Sequence, residues 1–360
     1  MSETVFILGA GASKEAGAPL MSEFLSVADN LRRSNTGIKS IFDKVLNIRN
    51  SLQAALSKSY LKLDDIEAVF AALEMGRLIG HLPGIQGDEI GSLISSMKQM
   101  IVKTLESSIV FPAKDKQIFP PESYNTFVKL VKAINNNGNQ NSCSIITFNY
   151  DIALDYALHF NLYPPNYCLD NSTSGATLLK LHGSINWAKC SNCDKIIPGN
   201  VGDFAGKIRI ARTALDITSQ VYFNIGSELQ GLGLKHCDTN VSPDPVIIPP
   251  TWNKQQYHNE ISQVWARAAK ELSDAENIFV IGYSLPPSDY FFHYLYALGS
   301  INNQVRIKRF WICDPDPNVA ERFRKIIGPD VDNNKFTAPS RAIFSQIIYT
   351  IANELKVKIQ

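Results

Sequence analysis

Five small clusters of glycine and polar residues, far apart in the chain, each close an apolar run: Gly9–Ser13, Asn149–Asp151, His182–Ser184, Gly282–Ser284 and Asp314. The first reads Gly9-Ala10-Gly11-Ala12-Ser13 and leads into a helix-compatible segment. A buried strand that turns sharply into a helix presents backbone N–H groups and the positive end of a helix dipole. Gly9 permits the tight turn, Gly11 lets a pyrophosphate approach the backbone, and the Ser13 hydroxyl adds a hydrogen bond. A neutral imidazole at His182 can take a proton from water or a hydroxyl near pH 7. The Asn149 amide can orient that group through its donor and its acceptor. Asp151 either favours positive charge close by or caps a helix beginning at Ile152. Asp314 lies in Asp314-Pro315-Asp316-Pro317, where its carboxylate can cap a turn.

These residues need elements that bring them to one place. Apolar runs end at each cluster and helical patterns follow most of them, which predicts an α/β fold. The expectation is a doubly wound, mostly parallel, Rossmann-like sheet, whose strand ends line up along one ligand-binding edge. Helical periodicity over 38–56, 66–82, 90–105 and 124–134 predicts a helical insertion, 21–137, after the first strand. A second, irregular insertion, 186–256, is rich in Gly, Pro and Asn. Both sit inside one domain covering 1–360. The third glycine of the full dinucleotide fingerprint is replaced by Lys14, and no strand ending in an acid follows about 20 residues on. Nucleotide binding is therefore expected, and hydride transfer is not.

The 360 residues are 45% hydrophobic, enough for a sizeable core. A formal charge of +1 argues against a nucleic-acid backbone as ligand. No apolar run is long enough to span a membrane, and Val5–Leu8 lacks the basic flank of a signal peptide. Six cysteines with one close pair suit a reducing, cytoplasmic compartment. The apolar segment 341–351 is expected either to pack on the sheet or to form an interface.

In order along the chain, Gly9–Ser13 with Gly17-Ala18-Pro19, Asn149-Tyr150-Asp151, His182-Gly183 and Gly282-Tyr283-Ser284-Leu285 resemble the motifs of sirtuins. The resemblance implies an NAD-binding domain in which Gly9, Ala10, Gly11, Ser13, Asp151, Gly282, Ser284 and Asp314 hold NAD. The chain departs from deacylating sirtuins after Pro19, where Leu20-Met21-Ser22 replaces Asp-Phe-Arg, and in its long helical insertion. Those departures resemble the bacterial branch that hydrolyses NAD⁺ in anti-phage defence, which implies Asn149 and His182 as the catalytic pair. NAD⁺ is then substrate as well as ligand. Its nicotinamide leaves as a neutral base, so the site must hold the ribose, stabilise an oxocarbenium-like centre and deliver water. Members of that branch often form homo-oligomers, and some associate with a HerA-like ATPase, so a homo-oligomer and a regulatory protein partner are expected.

Cys190 and Cys193 stand where sirtuins carry half of a Cys₄ zinc ribbon. The second Cys-x-x-Cys is missing. His236 and Cys237 follow, but adjacent residues seldom both ligate one ion, and a structural zinc needs four ligands. A degenerate knuckle is expected, and no metal ligand is assigned. A protein-lysine deacylase and a non-catalytic NAD or ADP-ribose sensor are the competing functions. Hydrolysis and cyclisation of NAD⁺ are not separable at this level.

Overall fold

A computed structural model of the chain describes residues 3–55, 61–137, 143–170, 172, 174–208, 219–248, 255–286, 289–301, 305–339 and 343–359. Seven strands form its central sheet: β1 (Thr4–Leu8), β2 (Cys143–Thr147), β3 (Pro165–Asn166), β4 (Ala176–Lys180), β5 (Asn277–Ile281), β6 (Arg309–Cys313) and β7 (Phe336–Thr337). Every residue of β1, β2, β4 and β5 is buried. Strands covered on both faces read as continuous apolar runs rather than alternations, which is the signature of a parallel sheet between helical layers. The spatial order is β7-β6-β5-β1-β2-β4-β3, and every pairing is parallel. The doubly wound architecture is as expected. The two-residue edge strands β3 and β7 were not foreseen, because two residues carry no period.

Register decides what the sheet can do. Leu8 pairs with Thr147 on one side and Ile281 on the other, Thr147 pairs with Lys180, and Ile281 with Cys313. The five strand ends therefore form one row, and the residues that follow them emerge along a single edge. The ladder runs one residue further: Gly9 N–H donates to the Ile281 carbonyl (3.1 Å), Phe148 N–H to Leu8 (3.1 Å) and Gly282 N–H to Cys313 (3.0 Å). From β1 the chain winds outward through β2 to β4, then crosses to β5 on the far side of β1. The crevice between β1 and β5 is thus the topological switch point, where open α/β sheets bind ligands.

Between β1 and β2 lie α1 (Ala10–Ser13), α2 (Met21–Ser34), α3 (Thr36–Ala54), α4 (Ile66–Ile79), α5 (Asp88–Ser108) and α6 (Glu122–Asn137). Asn35 and Asp65 cap α3 and α4 by accepting from Gly37 N–H and Ala68 N–H. α6 differs from the other helices of the expected insertion. Its Phe127 meets Phe6 of β1 edge-on, with centroids 5.0 Å apart, so α6 covers the sheet. After β2 come α7 (Ala153–Phe160) and α8 (Val201–Lys207), then α9 (Gln255–Asp274) before β5. α10 (Tyr290–Gly299) and α11 (Pro317–Arg324) flank β6, and α12 (Phe344–Glu354) is the last helix. Phe344, Ile347, Ile348 and Ile351 of α12 are buried, with Phe344 against Phe127 and Tyr124 of α6. The apolar segment expected at 341–351 is therefore spent on the core from 344 on. Residues 341 and 342, the Asn-rich loop from 138, Trp252 and the His258 side chain lie outside what is described. Among the described residues, no helix is long and apolar enough to cross a membrane.

Candidate active site

A cavity of about 700 Å³ opens at the switch point, within the range usual for small-molecule sites. Gly9, Ala10, Gly11, Asn149, His182, Gly282, Ser284 and Asp314 all line it. Residues from five strand ends thus reach one site. Ser13 and Asp151 do not line it. They are 1% and 4% exposed and lie behind its wall.

The two glycine turns pack against each other. Gly11 N–H donates to the Gly282 carbonyl at 2.9 Å, and a Cβ on Gly11 would stand 2.7 Å from Gly282 Cα. A Cβ on Gly282, which adopts φ +60°, would stand 2.4 Å from Ala12 N. Gly11 is therefore required for the approach of a second backbone, and it also lines the cavity. Gly9, Gly11 and Ala12 all spend their amides on carbonyls, which leaves Ala10 among the turn amides. α1 is a single turn, so its dipole adds little. The Lys14 ammonium at the cavity wall, paired with Glu23, supplies the cation nearby.

Asn149 is anchored through its nitrogen. Nδ2 donates to the Gly9 carbonyl and to Ser13 Oγ, each at 2.9 Å. Both amide protons are then committed, and Oδ1 remains as the acceptor for a ligand. Ser13 is the hub behind this arrangement. Its hydroxyl donates to Asp151 Oδ2 at 2.7 Å and lies 2.7 Å from the Tyr124 hydroxyl of α6. Asp151 Oδ1 accepts from Ala153 N–H at 3.0 Å, while α7 begins one residue later than expected, with Ile152 rather than Asp151 at its cap position. Burial pushes the Asp151 carboxyl up, while the Lys180 ammonium and the Ser13 hydrogen bond pull it back. Lys180, 1% exposed at the end of β4, donates to the Asp151 carbonyl (2.5 Å) and Asp155 Oδ2 (3.0 Å). Asp155 also accepts from the Tyr167 hydroxyl at 2.6 Å. A buried charge needs such partners.

His182 is 4% exposed and meets Phe148 edge-on at 5.1 Å. Phe148 in turn stacks on Tyr283 at 4.0 Å. Asp289 and Tyr283 also line the cavity, with Asp289 Oδ1 3.6 Å from His182 Nε2. Neither Asp289, which precedes a helix, nor Lys180, which sits in an apolar run, stands out in the sequence as a site residue. A charge inside such a run was the available signal for Lys180. The cavity wall carries six carboxylates, Glu15, Asp65, Glu67, Asp289, Asp314 and Asp316, against Lys14. Asp314 accepts from Asp316 N–H at 2.9 Å, and burial raises its carboxyl. A wall of this charge favours a cationic group within it.

The cysteine cluster lies elsewhere. A hairpin of 187–189 with 196–198 and another of 235–236 with 239–240 are joined through a bridge between Cys190 and Val241. Cys237 and Asp194 adopt φ of +51° and +62°, the sharp turns that let neighbours face one centre. Donor atoms of Cys190, Cys193, His236 and Cys237 all lie within 4.8 Å of one another. Cys193 Sγ and Cys237 Sγ are each 3.2 Å from His236 Nδ1. A hydrogen bond from Asn192 N–H leads the causes that lower the Cys190 thiol to about 6. Three thiols and an imidazole in this arrangement fit tetrahedral zinc, whose ligand atoms stand roughly 3.5–4 Å apart. The pair that sequence spacing set aside, His236 and Cys237, thus completes the set.

No protein-family model and no curated protein matches the chain. Among solved structures it is similar to a Sir2 homolog–NAD complex, with a TM-score of 0.43 and 14% identity over 98% of this chain and 89% of that one. A Sir2 homologue variant with ADP-ribose gives 0.44 and 13%, over 99% and 94%. A Sir2 protein bound to a propionylated peptide gives 0.38 and 12%, over 99% and 94%.

Proposed function

We propose that this protein is an NAD⁺ glycohydrolase that cleaves the nicotinamide–ribose bond and acts by NAD depletion in bacterial anti-phage defence. The observation that carries the reading is the convergence of Asn149 and His182 with both glycine turns in one cavity at the switch point. In the proposed reaction NAD⁺ and water give nicotinamide, ADP-ribose and a proton. The carboxylate-lined wall favours the cationic nicotinamide ring and the positive charge that develops at C1′ as it leaves. Asn149 Oδ1 accepts from the attacking water or a ribose hydroxyl, and His182 takes the proton. Ser284, Gly282, Ala10 and Lys14 face the phosphates, and Asp314 the adenosine ribose. Gly9 and Gly11 hold the turns together, while Ser13 and Asp151 hold Asn149 from behind. Cys190, Cys193, His236 and Cys237 would hold a structural zinc that cross-links the irregular insertion. The reading places the protein in the cytoplasm as a homo-oligomer, regulated by a partner protein such as a HerA-like ATPase.

The test is incubation of the full chain with NAD⁺, with and without an acetylated peptide, following nicotinamide and the ribosyl product by mass spectrometry. ADP-ribose formed without peptide is expected. A cyclic product would mean that an internal nucleophile replaces water. Release that depends on the peptide would make the protein a deacylase, and binding without turnover, even beside its native partners, a sensor.

A further inference from the structure

Asp289 stands immediately before α10, where a carboxylate ordinarily accepts from the amides of the first turn. Its side chain makes no capping bond there. It points instead into the cavity wall and is 1% exposed. Oδ2 accepts from the Tyr283 hydroxyl at 2.6 Å, which fixes the carboxylate. Oδ1 then lies 3.6 Å from His182 Nε2. Phe148 closes the group, with His182 against its edge and Tyr283 stacked on its face. Two turns of chain are thereby joined: Tyr283 just beyond β5, and His182 just beyond β4.

We propose that Asp289 is a positioning residue for His182. Its carboxylate, held by Tyr283, orients the imidazole and stabilises the imidazolium that forms once the ring has taken a proton. The proposal rests on His182 acting as the base in the reaction above. The separation is longer than a hydrogen bond, and such contacts tighten when substrate and charge arrive. An opposite charge within about 4–6 Å favours the charged form of a group by roughly one to three pH units. Among the described residues, titratable groups facing the ring include Asp289 and the Tyr150 phenol, whose ring centroid is 6.1 Å away. Behind Asp289 stand Tyr283 and, acting on Tyr283 from α4, Glu67. Burial pushes the Tyr283 phenol further up, away from ionisation, so Asp289 is the carboxylate set against the ring.

The experiment compares wild type with Asp289→Asn, which keeps the shape and removes the charge. Histidine-labelled full-length protein is titrated by NMR, with His182 assigned by comparison with His182→Gln. The His182 midpoint is expected to fall by roughly one to three pH units in Asp289→Asn. Tyr283→Phe, which frees the carboxylate to turn away, is expected to lower it by a smaller amount. An unmoved midpoint in Asp289→Asn overturns the proposal whether or not the protein turns over NAD⁺. In the second arm, the acidic limb of kcat/KM for nicotinamide release is expected to move the same way, with KM for NAD⁺ changed less than about threefold. A limb that stays in place while KM rises would make Asp289 a substrate-binding group and sink the positioning role. Absence of nicotinamide release from wild type would defeat the hydrolase reading alone, since the titration still decides the pair.

Discussion

Asn149 owes its place in the site to its nitrogen, and its proposed role to its oxygen. The two protons on Nδ2 tie the turn after β2 to the Gly9 carbonyl and to Ser13. Asn149→Asp keeps the volume and turns that nitrogen into an acceptor opposite the Gly9 carbonyl. Repulsion between two acceptors, with loss of the donor, costs about 1–3 kcal/mol where the group is poorly solvated. Nicotinamide release is expected to fall at least about 10²-fold, the lower end for a group acting on proton transfer, and the melting temperature to drop. Full turnover in this variant would remove the amide from the mechanism.

At the scale of elements, α5 is tied to the turn around Ser227. Glu106 accepts from Ser227 N–H at 2.9 Å and also bonds the Ser227 hydroxyl. Burial pushes its carboxyl up from 4.5 to about 7, against the pull of the Ser227 bonds. Between those two values the folded chain holds a proton that the unfolded chain has lost, so folding stability falls as pH rises from about 4.5 to 7. Glu106→Gln removes that dependence. Denaturant melts at pH 5 and pH 8 should show the wild type losing, relative to the variant, up to roughly 3 kcal/mol. Parallel curves would mean that Glu106 does not titrate in this window. The two hairpins around Cys190 and His236 make a separate test. Purified protein is expected to carry about one zinc per chain, and Cys193→Ser to lose it. Chelation is expected to lower the melting temperature, because metal binding of this kind contributes to folding. A metal-free chain whose melting is indifferent to chelators would restore the degenerate knuckle.

For the whole molecule, assembly has to be argued from surfaces other than α12, whose apolar face is buried against α6. The outer side of α10 is different. Tyr294 and Leu298, one turn apart, are 57% and 70% exposed, and Ile301 beyond the helix is 68% exposed. Contiguous apolar surface of this kind is typical of an interface. Light scattering is expected to give a multiple of the 40.0 kDa chain mass, with Leu298→Asp shifting it toward the monomer. A monomer across micromolar concentrations contradicts the proposed homo-oligomer.

The features legible along the chain are local and periodic. β1, β2, β4 and β5 are legible because strands buried on both faces must be apolar throughout. Their ends are legible because a buried run has to stop where polar residues begin. The glycine turns, Asn149 and His182 were found for that reason. Partner choice was not local. Ser13 was assigned to a ligand, yet it bonds Asp151, 138 positions away, because the register of β1 on β2 brings their following turns together. His236 and Cys237 join Cys190 and Cys193 only once two hairpins share a bridge and left-handed residues turn the neighbours inward. Asp289 has the sequence of a helix cap and the contacts of a site residue, since the crossing from β4 to β5 sets it opposite His182. Composition and period settle which segments are buried. Which side chains meet in the buried space depends on register and crossover, and those are set by contacts between segments far apart in the chain.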